Sequence, residues 1–181
     1  MPNTARLYTV DEVLGFPADG NRYEVVDGEL LVTPSPRSRH QMVVGELYYL
    51  LKEHLRRHPS NLRVALSPAD IRFPGEVLVQ PDIFVVPVEE LSAQDWSSVK
   101  TLVLAVEVLS PSSARGDRVV KRRLFQRQGV PVYWVVDPDA RMVEVWRPGD
   151  DRPEVVTEVL VWDAAPGVPL MVSLDQVFQE C

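Results

Sequence analysis

The sequence contains little cysteine: its 181 residues include one, Cys181. A single thiol cannot form an intrachain disulfide, so a reducing compartment is expected. No apolar run reaches the length of a membrane span, and the N-terminal residues contain no apolar segment typical of a signal peptide. These absences predict a soluble, cytoplasmic protein without a membrane partner, and the length predicts one domain over residues 1–181.

Positive charge is also in deficit, with 19 Lys and Arg against 26 Asp and Glu and a formal net charge of -7. Such a chain would be repelled by most of a nucleic-acid surface, which excludes sequence-independent coating but still allows a local basic groove. No strand is followed by a glycine-rich phosphate loop, and Ser110 to Ser113 lack the Gly-x-Ser-x-Gly pattern of a nucleophile elbow. Rossmann and P-loop nucleotide binding and serine-hydrolase chemistry are therefore disfavoured.

Local signals at the N-terminus predict a helix and a hairpin. Thr9 and Glu12 have the spacing of a capping box ahead of a short helix. Asp27-Gly28 separates two extended runs and predicts a β-hairpin over residues 22–32.

The next segment predicts a long helix and two strands. Ser38 and Gln41 resemble a second capping box, and helical periodicity continues to Arg57. Residues 62–73 and 77–86 are typical of strands.

The centre of the chain predicts a βαβ unit: an apolar strand at 102–109, a basic helix after Pro111 and a second apolar strand at 130–137. Such strands are parallel neighbours joined by a right-handed crossover. Residues 143–150 and 153–162 predict a terminal hairpin, and residues 173–179 a last short helix.

Two carboxylates interrupt apolar strands, Asp82 in VLVQPDIFVV and Glu107 in TLVLAVEVLS. A buried carboxylate requires a cation, a proton or a metal. If the two strands pair, both side chains can converge on one face of the sheet, and hard oxygen ligands of this kind suit Mg²⁺ or Mn²⁺. Lys121, one helical turn after Asp117, would supply a nearby cation.

A second interpretation of these residues stays open. Glu107 could form an internal ion pair with Lys121 or an arginine, and Asp82 could accept hydrogen bonds at the end of its strand, with no metal involved. His40 lies near the apolar face of the long helix and is either a hydrogen-bonded core residue or part of a site.

The helix after Glu107 is locally basic. Residues 115–127 contain six basic residues and one acid, Asp117. Such a stripe could contact nucleic-acid phosphates through Arg115, Arg118 and Arg122, or it could be a solvated helix face whose aliphatic stems cover the core.

Several short motifs follow one another along most of the chain. They are Tyr23-Glu24, Asp27-Gly28-Glu29, the Pro-rich loop before His40, Pro81-Asp82, Glu107-Val108-Leu109-Ser110, Asp117 with Lys121, and residues 129–134. Their order and spacing resemble the Uma2 family, a restriction-endonuclease-like branch of the PD-(D/E)xK nuclease superfamily. In the usual superfamily motif a lysine stands two residues after the glutamate, where this chain has Leu109; the family variant places it on the next helix, which Lys121 matches.

The resemblance implies an α/β fold with a mixed central sheet flanked by helices and additional β-hairpins. It also implies Mg²⁺- or Mn²⁺-dependent hydrolysis of DNA, with the metal held by Asp82, Glu107 and the Val108 carbonyl and with Lys121 positioning the water. Glu24 and His40 are secondary candidates for a metal or phosphate contact, and Asp117 for orienting Lys121. Cleavage of both strands by one site per chain would favour a two-fold homodimer.

Two other classes of function remain open from the sequence: a catalytically inactive DNA-binding or interaction module with the same fold, and a hydrolase of small phosphodiesters. Metal dependence would separate an enzyme from a module. Salt-sensitive duplex binding would separate nucleic acid from a small substrate.

Overall fold

The computed structural model describes residues 6–91, 95–164 and 168–179, so Cys181 lies outside the described residues. Its α-helices are α1 (Val10–Leu14), α2 (Ser38–Arg57), α3 (Arg122–Arg127) and α4 (Leu174–Val177). A π-helical segment, Gly116–Lys121, runs directly into α3, and short 3-10 helices cover Val88–Leu91 and Trp96–Ser98. The strands are β1 (Arg22–Val26), β2 (Glu29–Thr33), β3 (Leu62–Leu66), β4 (Ile71–Phe73), β5 (Val77–Val79), β6 (Ile83–Pro87), β7 (Leu104–Val108), β8 (Val132–Asp137), β9 (Met142–Trp146), β10 (Glu154–Val156), β11 (Val159–Trp162) and β12 (Leu170–Ser173).

A mixed six-stranded sheet with the order β10-β9-β8-β7-β6-β3 forms the centre of the fold. Strands β7 and β8 pair in parallel, whereas the other neighbours in this sheet are antiparallel. The parallel pair confirms the predicted βαβ unit, because a parallel connection requires a crossover element between its strands.

A second, four-stranded sheet has the order β2-β1-β5-β4. Its β1-β2 hairpin confirms the turn prediction, since Asp27 and Gly28 both have positive φ, 52° and 86°. The short β11-β12 pair forms a third sheet.

The alternation of side chains along the central strands divides the core into two layers. Leu104, Val106 and Val108 of β7 pack in the layer that includes α2 and α4. Ala105 and Leu109 face the opposite layer, which includes β4, β5 and α3. Glu107 shares the parity of Ala105 and Leu109, so its carboxylate projects toward the second layer.

Several sequence predictions about the elements were wrong. The strand predicted over 62–73 divides into β3 and β4, and that predicted over 77–86 divides into β5 and β6. Each pair contributes to two different sheets, and the breaks fall at Pro68 and Pro81, which have no backbone N–H to donate to a ladder.

Two boundary predictions were also wrong. Ser38 is the first helical residue of α2, and its N-cap is Arg37, which makes no side-chain capping bond. In the C-terminal region, β9 pairs with β10 but β11 pairs with β12, so the predicted hairpin ends at Val156. The Thr9 capping box and the last helix are confirmed.

Within the described ranges, no helix combines the length and the apolar character needed to cross a membrane.

Candidate active site

Asp82 and Glu107 meet because β6 and β7 are antiparallel neighbours. Ile83 pairs with Val106, so the next position along the register brings Asp82 beside Glu107 on the same face. Both carboxylates are buried, with 4% and 0% exposure. The Asp82 Oδ2 atom also accepts a hydrogen bond from the backbone N–H of Val108 at 2.8 Å.

Lys121 reaches the same point from the π-helical segment. Its Nζ atom lies 2.8 Å from Glu107 Oε1 and 2.8 Å from Glu24 Oε1, and 3.4 Å from Asp117 Oδ1. The side chain is 2% exposed, so the ammonium is enclosed by carboxylates. Tyr133 supports this segment by donating its hydroxyl to the Asp117 carbonyl at 3.0 Å.

His40 and Glu24 also lie in the cluster. His40 Nε2 is 3.1 Å from Asp82 Oδ2. Glu24 Oε1 accepts a hydrogen bond from the backbone N–H of Gln80 at 2.7 Å. The structure therefore brings together Asp82, Glu107 and Lys121 with all three secondary candidates: Glu24, His40 and Asp117.

Arg22 is a member of the cluster that sequence reasoning missed. Its Nη1 atom donates to Asp82 Oδ1 at 2.7 Å and to the Gln80 carbonyl at 3.1 Å. Its Nε lies 3.5 Å from Glu24 Oε2, and its Nη2 lies 3.8 Å from Glu107 Oε2. The available signal was the spacing, because Arg22 stands two residues before Glu24 on one strand and so shares its face.

The cluster has more acids than permanent cations. Glu24, Asp82, Glu107 and Asp117 are opposed by Arg22 and Lys121. Burial raises the pKa of Glu107, and the Lys121 ammonium offsets this only in part. Burial likewise raises the pKa of Asp117. Burial therefore favours the uptake of protons by Glu107 and Asp117.

The other ionisable groups in the cluster favour charge. Burial alone would raise the pKa of Asp82, but its hydrogen bond to His40 and the charge of Arg22 hold that pKa well below its usual value. Burial would lower the pKa of Lys121, but Glu107, Glu24 and Asp117 raise it well above its usual value. Asp82 thus remains a carboxylate and Lys121 an ammonium at neutral pH.

The donor set fits a hard divalent cation in its chemistry. Glu24 Oε2 and Glu107 Oε2 are buried and have no hydrogen-bond partner, and carboxylate oxygens are the usual ligands of Mg²⁺. In residues 6–91, 95–164 and 168–179, however, no three Asp, Glu, His or Cys side chains converge in a geometry that could hold an ion. In this arrangement the Arg22 guanidinium and the Lys121 ammonium lie between the carboxylates.

A cleft of about 830 Å³ opens onto the cluster. Arg22, His40 and Asp82 line it, together with the Pro34–Arg37 loop and the loop at residues 110–113 that follows β7. Solvent and a substrate can thus approach Asp82 from one side.

The predicted nucleic-acid contacts lie elsewhere. Arg115 pairs with Glu29 at 2.7 Å, and Arg118 pairs with both Asp137 and Glu144 at 2.8 Å. The Arg122 guanidinium stacks over the Trp146 ring at 4.7 Å. None of these three arginines lines the cleft described above, so the structure does not bring them together with the carboxylates.

Comparisons with known proteins find a family and solved structures to which the chain is similar. The model of the Uma2 family, described as "Putative restriction endonuclease", matches residues 10–175. The crystal structure of "a putative nuclease belonging to DUF820 from Anabaena variabilis ATCC 29413" superposes with a TM-score of 0.75 and 23% sequence identity, covering 94% of this chain and 97% of that chain. This likeness confirms the predicted mixed α/β fold class. No curated protein matches the chain.

Proposed function

Because the chain belongs to the Uma2 family of restriction-endonuclease-like proteins, we propose that it is a Mg²⁺- or Mn²⁺-dependent endonuclease that hydrolyses DNA phosphodiester bonds. Family membership supports a nuclease in general. The observation that supports a catalytic centre is that Asp82, directly before β6, lies beside Glu107 of the neighbouring strand β7, with Lys121 Nζ 2.8 Å from Glu107 Oε1.

Asp82 and Glu107, with the Val108 carbonyl, would hold the metal. The Val108 N–H and His40 Nε2 contact Asp82 Oδ2, so Asp82 Oδ1, which accepts from Arg22, would be the oxygen that binds the metal. The Lys121 bond to Glu107 Oε1 leaves Glu107 Oε2 for the same purpose. A bound divalent ion supplies a Lewis acid that lowers the pKa of a coordinated water.

Lys121 and Asp117 act together on the opposite side of Glu107. An ammonium has three donor hydrogens, and Lys121 has three carboxylate neighbours within 3.4 Å. The contact of Lys121 Nζ with Asp117 Oδ1, at 3.4 Å, is the longest of the three. The N–H of Lys121 that faces Asp117 is therefore the one that can turn toward the attacking water. Glu24 then keeps the ammonium in place.

DNA is the proposed substrate and a two-fold homodimer the proposed assembly for double-strand cleavage. Substrate phosphates would enter through the cleft beside Asp82, where His40 can contact them. Contacts from Arg115, Arg118 and Arg122 would require the DNA to extend across a separate surface, on which these arginines are already engaged by Glu29, Asp137, Glu144 and Trp146.

A DNA cleavage assay tests the proposal. Supercoiled and linear duplex DNA are incubated with the native protein in Mg²⁺, Mn²⁺ or a chelator, alongside Asp82→Asn and Glu107→Gln. The matched control is Asp139→Asn, an aspartate that is 83% exposed and pairs with Arg39. Metal-dependent cleavage that both cluster variants lose and the control keeps would support the proposal; cleavage retained by Glu107→Gln would contradict it.

A second candidate function rests on the ion pairs themselves. Arg22 and Lys121 already contact every carboxylate of the cluster, as in a structural network that needs no metal. A DNA-binding module of this kind would bind duplex DNA with strong salt dependence and without cleaving it. Hydrolysis of a small diester without duplex binding would instead favour the small-phosphodiester alternative.

A further inference from the structure

Three buried polar atoms without a hydrogen-bond partner lie together at Arg22. Arg22 Nε, Glu24 Oε2 and Glu107 Oε2 are all buried and unpartnered. They are neighbours, because Nε lies 3.5 Å from Glu24 Oε2 and Nη2 lies 3.8 Å from Glu107 Oε2. The guanidinium is close enough to neutralise these oxygens but not to bond to them.

The one carboxylate that Arg22 bonds tightly is Asp82. Asp82 Oδ2 is occupied by the Val108 N–H and by His40 Nε2. The remaining oxygen, Oδ1, accepts from Arg22 Nη1 at 2.7 Å. A divalent cation that bound Asp82 would have to bind Oδ1, at a distance of about 2.0–2.1 Å for Mg²⁺, and would meet a guanidinium already there.

We propose that Arg22 is a tethered counter-cation that occupies the divalent metal position in the metal-free protein and is displaced into the cleft when the metal binds. This inference rests on the proposed function. The ion and Arg22 Nη1 would compete for the same Asp82 oxygen, Oδ1, so binding of the ion excludes the Arg22–Asp82 hydrogen bond. Arg22 is therefore a positioning residue that keeps the carboxylates assembled before the metal arrives.

Arg22, unlike Lys121, can move its side chain from the cluster into the solvent-filled cleft. Its side chain is 17% exposed and lines the cleft, whereas that of Lys121 is 2% exposed and is surrounded by Glu24, Glu107 and Asp117. Arg22 also keeps a long, flexible stem that can carry the guanidinium toward solvent without moving β1. The exchange thus removes Arg22 and leaves the Lys121 contacts intact.

The proposal predicts an unusual result: removing a cation from the site strengthens metal binding. We expect Arg22→Gln to bind Mn²⁺ at least about tenfold more tightly than the native protein in calorimetric titration, the scale of one lost charge-assisted hydrogen bond. Without metal, Arg22→Gln should unfold at lower temperature than the native protein, and Mn²⁺ should raise its midpoint more. A matched control is Arg141→Gln, since Arg141 also donates to one backbone carbonyl, of Phe178, and to one aspartate, Asp175. Its Mn²⁺ affinity should equal that of the native protein.

The outcomes separate this inference from the proposed function. Equal or weaker Mn²⁺ binding by Arg22→Gln, with binding lost in Asp82→Asn, would overturn the exchange and leave a metal-dependent nuclease in place. Absence of Mn²⁺ binding by both the native protein and Arg22→Gln would overturn both. If Arg22→Gln does not fold alone, it is refolded in increasing Mn²⁺: recovery of the native circular dichroism supports the exchange, and no recovery overturns it.

Discussion

The Asp82 carboxylate accepts a hydrogen bond from the backbone N–H of Val108 at 2.8 Å, across the junction of β6 and β7. Asp82 is thereby fixed to the residue that follows Glu107, and the two carboxylates are held in one register. The same bond directs Asp82 Oδ1 toward Arg22 and the cleft.

Metal binding should depend on both Asp82 and Glu107. We expect Asp82→Ala and Glu107→Ala to abolish Mn²⁺ binding in calorimetric titration, since each removes one of the two carboxylates proposed to hold the ion. Circular dichroism must first show that both variants are folded. Asp139→Ala, at an exposed aspartate, should bind as the native protein does, and unchanged binding by either cluster variant would remove that residue from the site.

Lys121 should contribute far more to stability than a surface cation does. Lys121→Met leaves Glu24, Glu107 and Asp117 without their shared partner, so the free energy of unfolding should fall by about 3–5 kcal/mol in urea titrations. Arg127→Ala breaks an exposed pair with Asp27 and should cost less than about 1 kcal/mol. Similar losses for the two variants would mean that the buried cluster contributes no more than the surface pair.

Tyr133 should stabilise the π-helical segment that carries Lys121. Tyr133→Phe removes the hydroxyl that donates to the buried Asp117 carbonyl, and we expect a loss of about 1–3 kcal/mol in urea unfolding. The comparison is Tyr23→Phe, which removes a hydroxyl that donates to exposed Asp19 and should lower the free energy of unfolding less than Tyr133→Phe does. A Tyr133→Phe protein as stable as the native one would argue that the segment is held by its other contacts.

The metal-free cluster should make stability depend on pH. Burial raises the pKa of Glu107 in the folded protein, so between its ordinary value and this raised value the folded state binds more protons than the unfolded state. The free energy of unfolding then falls as pH rises through that window. The pKa of Asp82 is lowered in the folded protein, so Asp82 changes the free energy of unfolding only below about pH 4.

The test compares the native protein with Glu107→Gln in a chelator, by urea unfolding between about pH 5 and about pH 8. Burial lowers the pKa of His54 and gives the opposite slope, but it does so equally in both proteins. We therefore expect the native protein to lose more stability with rising pH than Glu107→Gln does. Identical slopes would show that Glu107 does not take up a proton on folding.

Much of the site could be predicted from the sequence, because a carboxylate inside an apolar run requires a cation, a proton or a metal. Asp82, Glu107 and Lys121 were predicted to converge and do so, and Glu24, His40 and Asp117 join them. The basic stripe was less informative. A sequence shows that Arg115 and Arg118 are cationic but not that Glu29, Asp137 and Glu144 lie beside them.

Periodicity and turn residues along the chain are enough to predict the βαβ unit, the Asp27-Gly28 hairpin and the strand that carries Glu107, because these signals are local. The tertiary structure shows that β3 and β6 join the central sheet whereas β4 and β5 join the second, and it places Arg22 between Asp82 and Glu107. The physical reason is that β1 belongs to a different sheet from β6 and β7. The approach of Arg22 to the two carboxylates therefore depends on how the sheets pack, and the spacing of Arg22 and Glu24 along β1 gives only the face that both side chains share.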